Sequence, residues 1–490
     1  MNTAAPRAGV GRSDPWPADR KARPARAARA ARAARPASPA GPDTVAWLLF
    51  ISGLTLSFVL SAQALDALGI PYDAPYGPMV AKLHPGSYLL AAAWVFGLAR
   101  NGNPLIVALA SARQQPLLST YLGCMVLVFV WVVVRHGTSG AAYIIQTLWM
   151  PGLALLTLTL LARRRRRQTL AWLMVLLCAN ALLALAEYFG HFHFVPLPAE
   201  QEGLLFRASA FLGHPLANAN ITVALLPALA LVPWRPALRV AAIAVVLAAM
   251  LAFGGRTALG VGLAVYGLQL LLTVSLRALS GRYSYLQLTG GGAGLLLGGV
   301  ALGAALLASG LGARIFNNLT WDNSADVRLR AWEAFDHLRG ADWWLGLSPV
   351  QIEHVSLAMG LDPRYEAIEN FWVGTYLQFG LIGFLPFVAG LAALVLLMLV
   401  RGAPMLRSAV LVFFVVASAA NTLSSKTVSL TLVSVLLLAS TPQRRRRRAA
   451  TPSATAWAHT MPLPLALPAR RPRPTAVPMR RPAAGRRATS

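Results

Sequence analysis

The chain has 490 residues, of which 56% are hydrophobic and only 12% charged, and its mean hydropathy is +0.56. That balance excludes an ordinary soluble protein and predicts a polytopic α-helical membrane protein. The formal net charge of +27 excludes little until it is mapped, because much of it lies in two terminal segments and one internal run.

Residues 1–43 form an Arg/Ala/Pro-rich arm ("ARPARAARAARAARPASPAGP") that cannot build a core and reads as disordered. The tail from 442 to 490 ("RRPRPTAVPMRRPAAGRRATS") reads the same way. Such segments point to anionic lipid at the cytoplasmic surface rather than to nucleic acid, which is not an expected partner. No cleavable signal peptide is expected, since the first apolar run begins near Thr44 and is long enough to stay in the membrane.

Apolar runs predict about twelve transmembrane helices: 44–64, 79–98, 117–135, 140–162, 169–189, 216–232, 237–254, 257–277, 287–311, 372–400, 408–423 and 427–441. His84 and Pro85 interrupt the second. The chain thus divides into the arm (1–43), helices 1–9 (44–311), a large loop (312–371), helices 10–12 (372–441) and the tail (442–490). With the N-terminus inside, the inner connections ("RRRRRQ", "PWRPALR", "RALSGR", "RGAPMLR" and others) are all basic and contain no acid, as the positive-inside rule requires. Both termini are then cytoplasmic. Cys124 and Cys178 lie inside apolar spans and suggest neither a disulfide framework nor a metal site.

Two substantial loops remain outside, Gly190 to Pro215 and about Gly312 to Phe371. The second carries a helix signal, "SADVRLRAWEAFDHL", with Ser324 as cap, Asp326 in the first turn and Leu329, Trp332 and Phe335 on one face. That face is expected against the membrane or across a cavity.

Charged groups at membrane depth need compensation. Arg207 opens "RASAFLGHPLANA", Arg256 stands in the tight "FGGRTALG" hairpin, and Arg328 and Arg330 lie on the loop helix. All defy the positive-inside bias, and guanidinium suits phosphate oxygens. Glu366 and Glu369 precede span ten at i, i+3; like charges this close raise one pKa towards that of a general base. His214 and His354 are candidate acid/base groups. Asn218 and Asn220 are expected to satisfy backbone groups or Arg207 where their helix begins. His191 and His193, in "HFH", lack a third ligand in view, so no metal site is expected.

In this order, these motifs resemble the O-antigen ligase/polymerase superfamily, over about residues 44–440 and most strongly over 206–385. "RASAFLGHPLANA" is similar to the family's Arg-x-x-Gly-x-Phe-x-Asn-Pro-Asn element through Arg207, Phe211 and Pro215. "GGRTALG" is similar to its Ser-Arg-Thr element through Arg256 and Thr257. "RLRAWEAFDHL…WWLGLS" with "ENFWVGTYLQFGLIGF" resembles the long outer loop and its return to the membrane. The resemblance implies a multi-pass protein of the bacterial inner membrane. It would transfer a glycan from undecaprenyl pyrophosphate to an acceptor-glycan hydroxyl, without cofactor or metal. Arg207, Arg256, Arg328 and Arg330 would hold the pyrophosphate and Glu369 would be the base, with Glu366, His214, His354 and Asn370 as further acid/base or acceptor contacts. Where ligases carry a histidine this chain has Glu369-Asn370, which favours a polymerase of exopolysaccharide or O-antigen repeats over a ligase acting on lipid A-core or protein. Other polysaccharide assembly proteins are expected partners. A polysaccharide or lipid transporter is the alternative from another class.

Overall fold

In the computed structural model, residues 42–73, 80–137, 141–195, 206–281, 330–361, 370–419 and 425–441 are described, with the single residues 78, 290, 304, 308, 368 and 423. Residues 1–41 of the arm, the tail, most of the ninth expected span, and Ser324, Asp326, Arg328, Leu329, Glu366 and Glu369 lie outside them, while Pro42 and Asp43 already belong to the first helix.

The described residues are helical, with no strand among them. In chain order the helices are α1 (Pro42–Val59), the short α2 (Ala62–Ala67), α3 (Pro85–Arg100), α4 (Pro104–Gln114), α5 (Pro116–His136), α6 (Ala141–Leu160), α7 (Arg163–Gly190) and α8 (Pro215–Leu225), which a 3-10 turn extends to Leu231. Then follow α9 (Pro236–Phe253), α10 (Arg256–Leu279), α11 (Asp342–Leu345), α12 (Pro349–Ala358), α13 (Phe371–Arg401), α14 (Arg407–Ser418) and α15 (Ser429–Ala439).

Prolines set many of the starts. Pro85, Pro104, Pro116, Pro215, Pro236 and Pro349 each open a helix, where the missing N–H has no partner to lose and φ is preset. His84 is therefore no interruption. It is the N-cap of α3, with Nδ1 accepting from Gly86 N at 3.0 Å and Nε2 2.7 Å from Leu60 O, so the second helix begins at Pro85 rather than at 79.

Among the described residues six helices (α5, α6, α7, α9, α10 and α13) are long and apolar enough to cross a membrane, and shorter apolar helices stand at 43–59, 215–231, 404–418 and 429–439. Large apolar side chains such as Leu127 and Val130 on α5, Leu271 and Leu272 on α10 and Leu385 on α13 face outward. Water would penalise that surface, whereas lipid accepts it, and the helices satisfy their own backbones. The protein is an all-α membrane protein.

The main core runs through α1, α3, α5–α10 and α13–α15, with Phe50, Phe58, Tyr121, Phe253, Phe387 and Phe413 fully enclosed. A second, smaller core gathers Ala331, Ala334, Leu338, Leu347, Val355 and Met359 against Val373 and Leu377 at the start of α13. Residues 331–337 are a 3-10 helix rather than an α-helix. Its period of three turns Ala331 and Ala334 inward and keeps Trp332 and Phe335 together on another face, as expected, with ring centroids 5.8 Å apart and Trp332 exposed. Phe335 stays half-buried, its ring 5.7 Å from Trp343 and 5.3 Å from Tyr376.

This module is fastened to a break in α13. At Gly380 the backbone leaves the helix (φ 60°, ψ −178°), a conformation open in practice only to glycine. Gly346 (φ 75°) lies against it so closely that a Cβ there would sit 2.6 Å from Gln378 O. Three carbonyls at the break find donors from elsewhere: Leu347 N reaches Leu377 O at 2.6 Å, Trp131 Nε1 reaches Phe379 O at 2.8 Å, and His136 Nε2 lies 3.1 Å from Gln378 O.

Candidate functional site at the Arg207 segment

The segment 206–214 joins α7 to α8 without regular structure, so its backbone groups need partners from elsewhere. Glu187, in the last turn of α7, supplies them and is fully buried. One carboxylate oxygen accepts from Phe194 N at 2.8 Å; the other accepts from Ser209 N at 2.7 Å and Ala210 N at 2.9 Å. A carboxylate at a helix C-terminus opposes the dipole, and a buried one is tolerated only when it is hydrogen-bonded like this.

Two asparagines complete the cradle. Asn180 lies seven residues before Glu187, on the same face of α7. Its Oδ1 accepts from Phe211 N at 3.1 Å and its Nδ2 donates to Asn218 Oδ1 at 2.9 Å. Asn218 Nδ2 in turn donates to Ser209 O and, at 3.1 Å, to His214 O. Ala210 is held at φ 40°, unusual for a residue with a side chain. His193 lies 3.3 Å from Ser209 Oγ and stacks on Phe206 with ring centroids 4.6 Å apart, so the "HFH" element braces this segment. Among the described residues no three His, Cys, Asp or Glu gather as a metal would need.

The cradle delivers Arg207 to the end of α9. Ala208 N donates to Ala252 O at 3.1 Å and Arg207 Nε to Phe253 O at 3.0 Å. These are last-turn carbonyls, which lack helical partners and favour a cation. The next residues, Gly254 (φ 65°) and Gly255, turn the chain into Arg256, the first residue of α10. A Cβ on Gly255 would collide with Ala219 of α8, so only glycine lets this turn close onto the start of α8. Arg207 and Arg256 are thereby brought to one turn. His214, N-cap of α8, is half-buried near Arg207; burial first and the Arg207 charge second push its pKa down to about 4. At neutral pH it is an uncharged imidazole.

The other candidates stand apart. Asn370 caps α13, its Oδ1 accepting from Trp372 N at 3.0 Å and Val373 N at 3.3 Å. Arg330 donates to Met359 O and lies 3.5 Å from Glu333, an exposed strut at the edge of the second core, and no described contact joins it to Arg207. His354 is exposed on α12. Glu366, Glu369 and Arg328 are outside the described residues. Asn218 satisfies backbone carbonyls as expected, but Asn220 does not: both its amide atoms and Thr222 Oγ1 are buried without a hydrogen-bond partner.

Sequence reasoning missed Glu187 and Lys426. Glu187 was visible as a lone acid in an apolar run, "LALAEYFG", which by default deserves a functional reading. Lys426, between α14 and α15, donates to Tyr72 O, pairs with Asp73 at 3.2 Å and lies over the Tyr72 ring at 4.4 Å. Its signal was a single lysine between two apolar runs.

Neither a family model nor a curated protein matches the chain.

Proposed function

We propose that this protein is a membrane glycosyltransferase that polymerises undecaprenyl-pyrophosphate-linked repeat units of an exopolysaccharide or O-antigen at the periplasmic face of a bacterial inner membrane. The proposal includes twelve crossings, cytoplasmic termini and a periplasmic segment over 312–371. The observation that carries it is the turn shared by Arg207 and Arg256: Arg207 is held by a hydrogen-bonded frame to the last carbonyl of α9, and Arg256 follows three residues later at the start of α10. Such fixed positive charge suits a lipid-linked pyrophosphate and would stabilise it as it departs.

The acceptor hydroxyl oxygen attacks the anomeric carbon while the bond from that carbon to the pyrophosphate oxygen breaks. Glu369 takes the hydroxyl proton, and undecaprenyl pyrophosphate leaves with the electron pair, held by Arg207 and Arg256 with Arg328 joining them. Arg330, already engaged with Met359 and Glu333, is left out of this set. A transporter would use a broken helix to expose backbone groups to its cargo. The break at Gly380 favours that rival only superficially, because protein donors occupy its carbonyls.

The test supplies isolated lipid-linked repeat units to the purified protein. Ladders without a foreign acceptor are expected, and they should vanish in Arg256→Ala and Glu369→Gln while both variants still reach the membrane. Transfer that requires a foreign acceptor would instead make the protein a ligase, and unchanged ladders from both variants would remove the assignment.

A further inference from the structure

The 330–361 module leaves some of its largest aromatic rings outside its core. In the 3-10 helix 331–337 the period of three makes three rows. Ala331 and Ala334 are buried, Trp332 and Phe335 form a second row, and the exposed Glu333 and Asp336 form the third. Phe335 joins Trp332, with centroids 5.8 Å apart, to Trp343 of α11, 5.7 Å away and within 14° of parallel. Trp332 is 56% exposed and Trp343 41%. No hydrogen bond is described for their indole N–H groups, whereas Trp47, Trp131, Trp149, Trp172 and Trp372 donate theirs to neighbouring helices of the bundle. The surface around the rings is acidic, with Arg330 and Arg339 set against Glu333, Asp336, Asp342 and Glu353 over residues 330–361. Aromatic residues that anchor a helix at lipid headgroups keep company with Lys and Arg, and acidic surface is repelled by anionic lipid. The charge pattern therefore argues for a ligand in water rather than for a membrane anchor.

We propose that Trp332, Phe335 and Trp343 form a stacking platform for the pyranose rings of a glycan, with the Glu333 and Asp336 row receiving its hydroxyls. A pyranose presents weakly positive C–H groups on its faces and hydroxyls around its rim. The negative faces of the aromatic rings suit the former. Carboxylates accept from the hydroxyls, and the indole N–H groups donate to their oxygens. Tyr376 fastens the platform to α13: its ring lies 5.3 Å from Phe335 and 6.0 Å from Trp343, and its hydroxyl donates to Trp343 O at 3.0 Å. Tyr376 stands six residues beyond Asn370, the cap of α13, which is about 9 Å along the helix. A glycan on the platform thus lies close to the start of α13, where the acceptor reacts in the proposed transfer. Its identity as the acceptor chain rests on that functional reading; the stacking chemistry does not.

The experiment uses the full-length protein in phosphatidylcholine vesicles containing phosphatidylglycerol. Oligosaccharides released by mild acid from the surface polysaccharide of the cells that make the protein are titrated against tryptophan emission. Wild type should respond and saturate. Trp332→Ala and Trp343→Ala should each weaken binding about tenfold, the loss expected for an aromatic anchor. Trp332→Phe, which keeps a ring, should recover most of it, and Trp344→Ala, equally exposed but with no described ring contact, should bind as wild type does. With lipid-linked repeat units, the two alanine variants should need about tenfold more acceptor and give shorter ladders at an unchanged maximal rate. Ladders from wild type that are unchanged in both variants would overturn the platform and leave the polymerase reading standing. No ladder from wild type would remove the polymerase reading, and the titration alone would then decide the platform. Wild-type emission that does not respond to the oligosaccharides, or equal loss from Trp344→Ala, would overturn it. So would quenching of the Trp332 contribution, taken as wild type minus Trp332→Ala, by brominated acyl chains rather than by aqueous iodide, since the rings would then be a membrane anchor.

Discussion

The Arg207 segment and the 330–361 module face the same problem with opposite signs. Each places irregular backbone beside helices of a membrane protein, where an unpaired polar group is costly. In the Arg207 segment the orphans are N–H groups, and buried side-chain oxygens of Glu187 and Asn180 accept from them. At the α13 break the orphans are carbonyls, and donors from Trp131, His136 and the Leu347 backbone answer them. The first solution uses side-chain acceptors, Glu187 among them, while the second is held mainly by neutral donors and two glycines. The segment that carries Arg207 is therefore anchored on a buried acid, and the splice at Gly380 needs none.

If that contrast is right, Glu187→Leu should be the most damaging single change. It strands two buried N–H groups and a part-buried one and leaves the Arg207 segment without its anchor, so a loss of about 3–5 kcal/mol is expected. Thermal melting in detergent and chain-lengthening activity should both report it. Glu187→Gln sharpens the point, because an amide presents one oxygen and one donor where two acceptors are needed. A loss of about 1–3 kcal/mol is expected, and a variant as stable as wild type would mean that the charge of the carboxylate is unimportant.

The break should respond next. Gly380→Ala places a Cβ where φ is 60° and against the backbone of Gly346 and Trp344, costing about 2–3 kcal/mol. Because this splice is away from the Arg207 cradle, the lowered midpoint should come with near-normal activity per folded molecule. Trp131→Phe removes only the donor to Phe379 O and should cost about 1 kcal/mol. If instead it abolished activity at unchanged stability, the break would belong to the reaction and the two regions would no longer be distinct.

How far these features could be read in the sequence depends on how local they are. Helix positions follow apolar length and proline, which is why the expected spans fall close to the observed helices wherever these are described. The start of α3 was displaced because Met79–Leu83 looks apolar, although the decisive signal was His84-Pro85, a cap followed by a first-turn proline. Residues 331–337 form a 3-10 rather than an α-helix, but Trp332 and Phe335, three apart, share a face in either. The Gly380 break was invisible: "LQFGLIGF" reads as an unbroken apolar helix, and its supports come from Trp131 and His136, some 240 residues earlier in the chain. Arg207 and Arg256 were legible as anomalies of charge, but their meeting at one turn depends on hydrogen bonds to Ala252 and Phe253 that no motif encodes.

The smallest effect concerns proximity of His214 to Arg207. Burial and the Arg207 charge hold His214 near a pKa of about 4, against an ordinary value of 6.5. Below about 6.5 the unfolded chain therefore binds a proton that the folded chain refuses. Stability from this group is complete above that pH and declines as pH falls towards 4. His214→Gln should flatten this part of the melting profile, and Arg207→Gln should make it shallower without abolishing it, since burial remains. An identical slope in wild type and Arg207→Gln would mean that the guanidinium does not face the imidazole. Arg207 would then be aimed away from the start of α8, and its place on the turn with Arg256 would lose its electrostatic evidence.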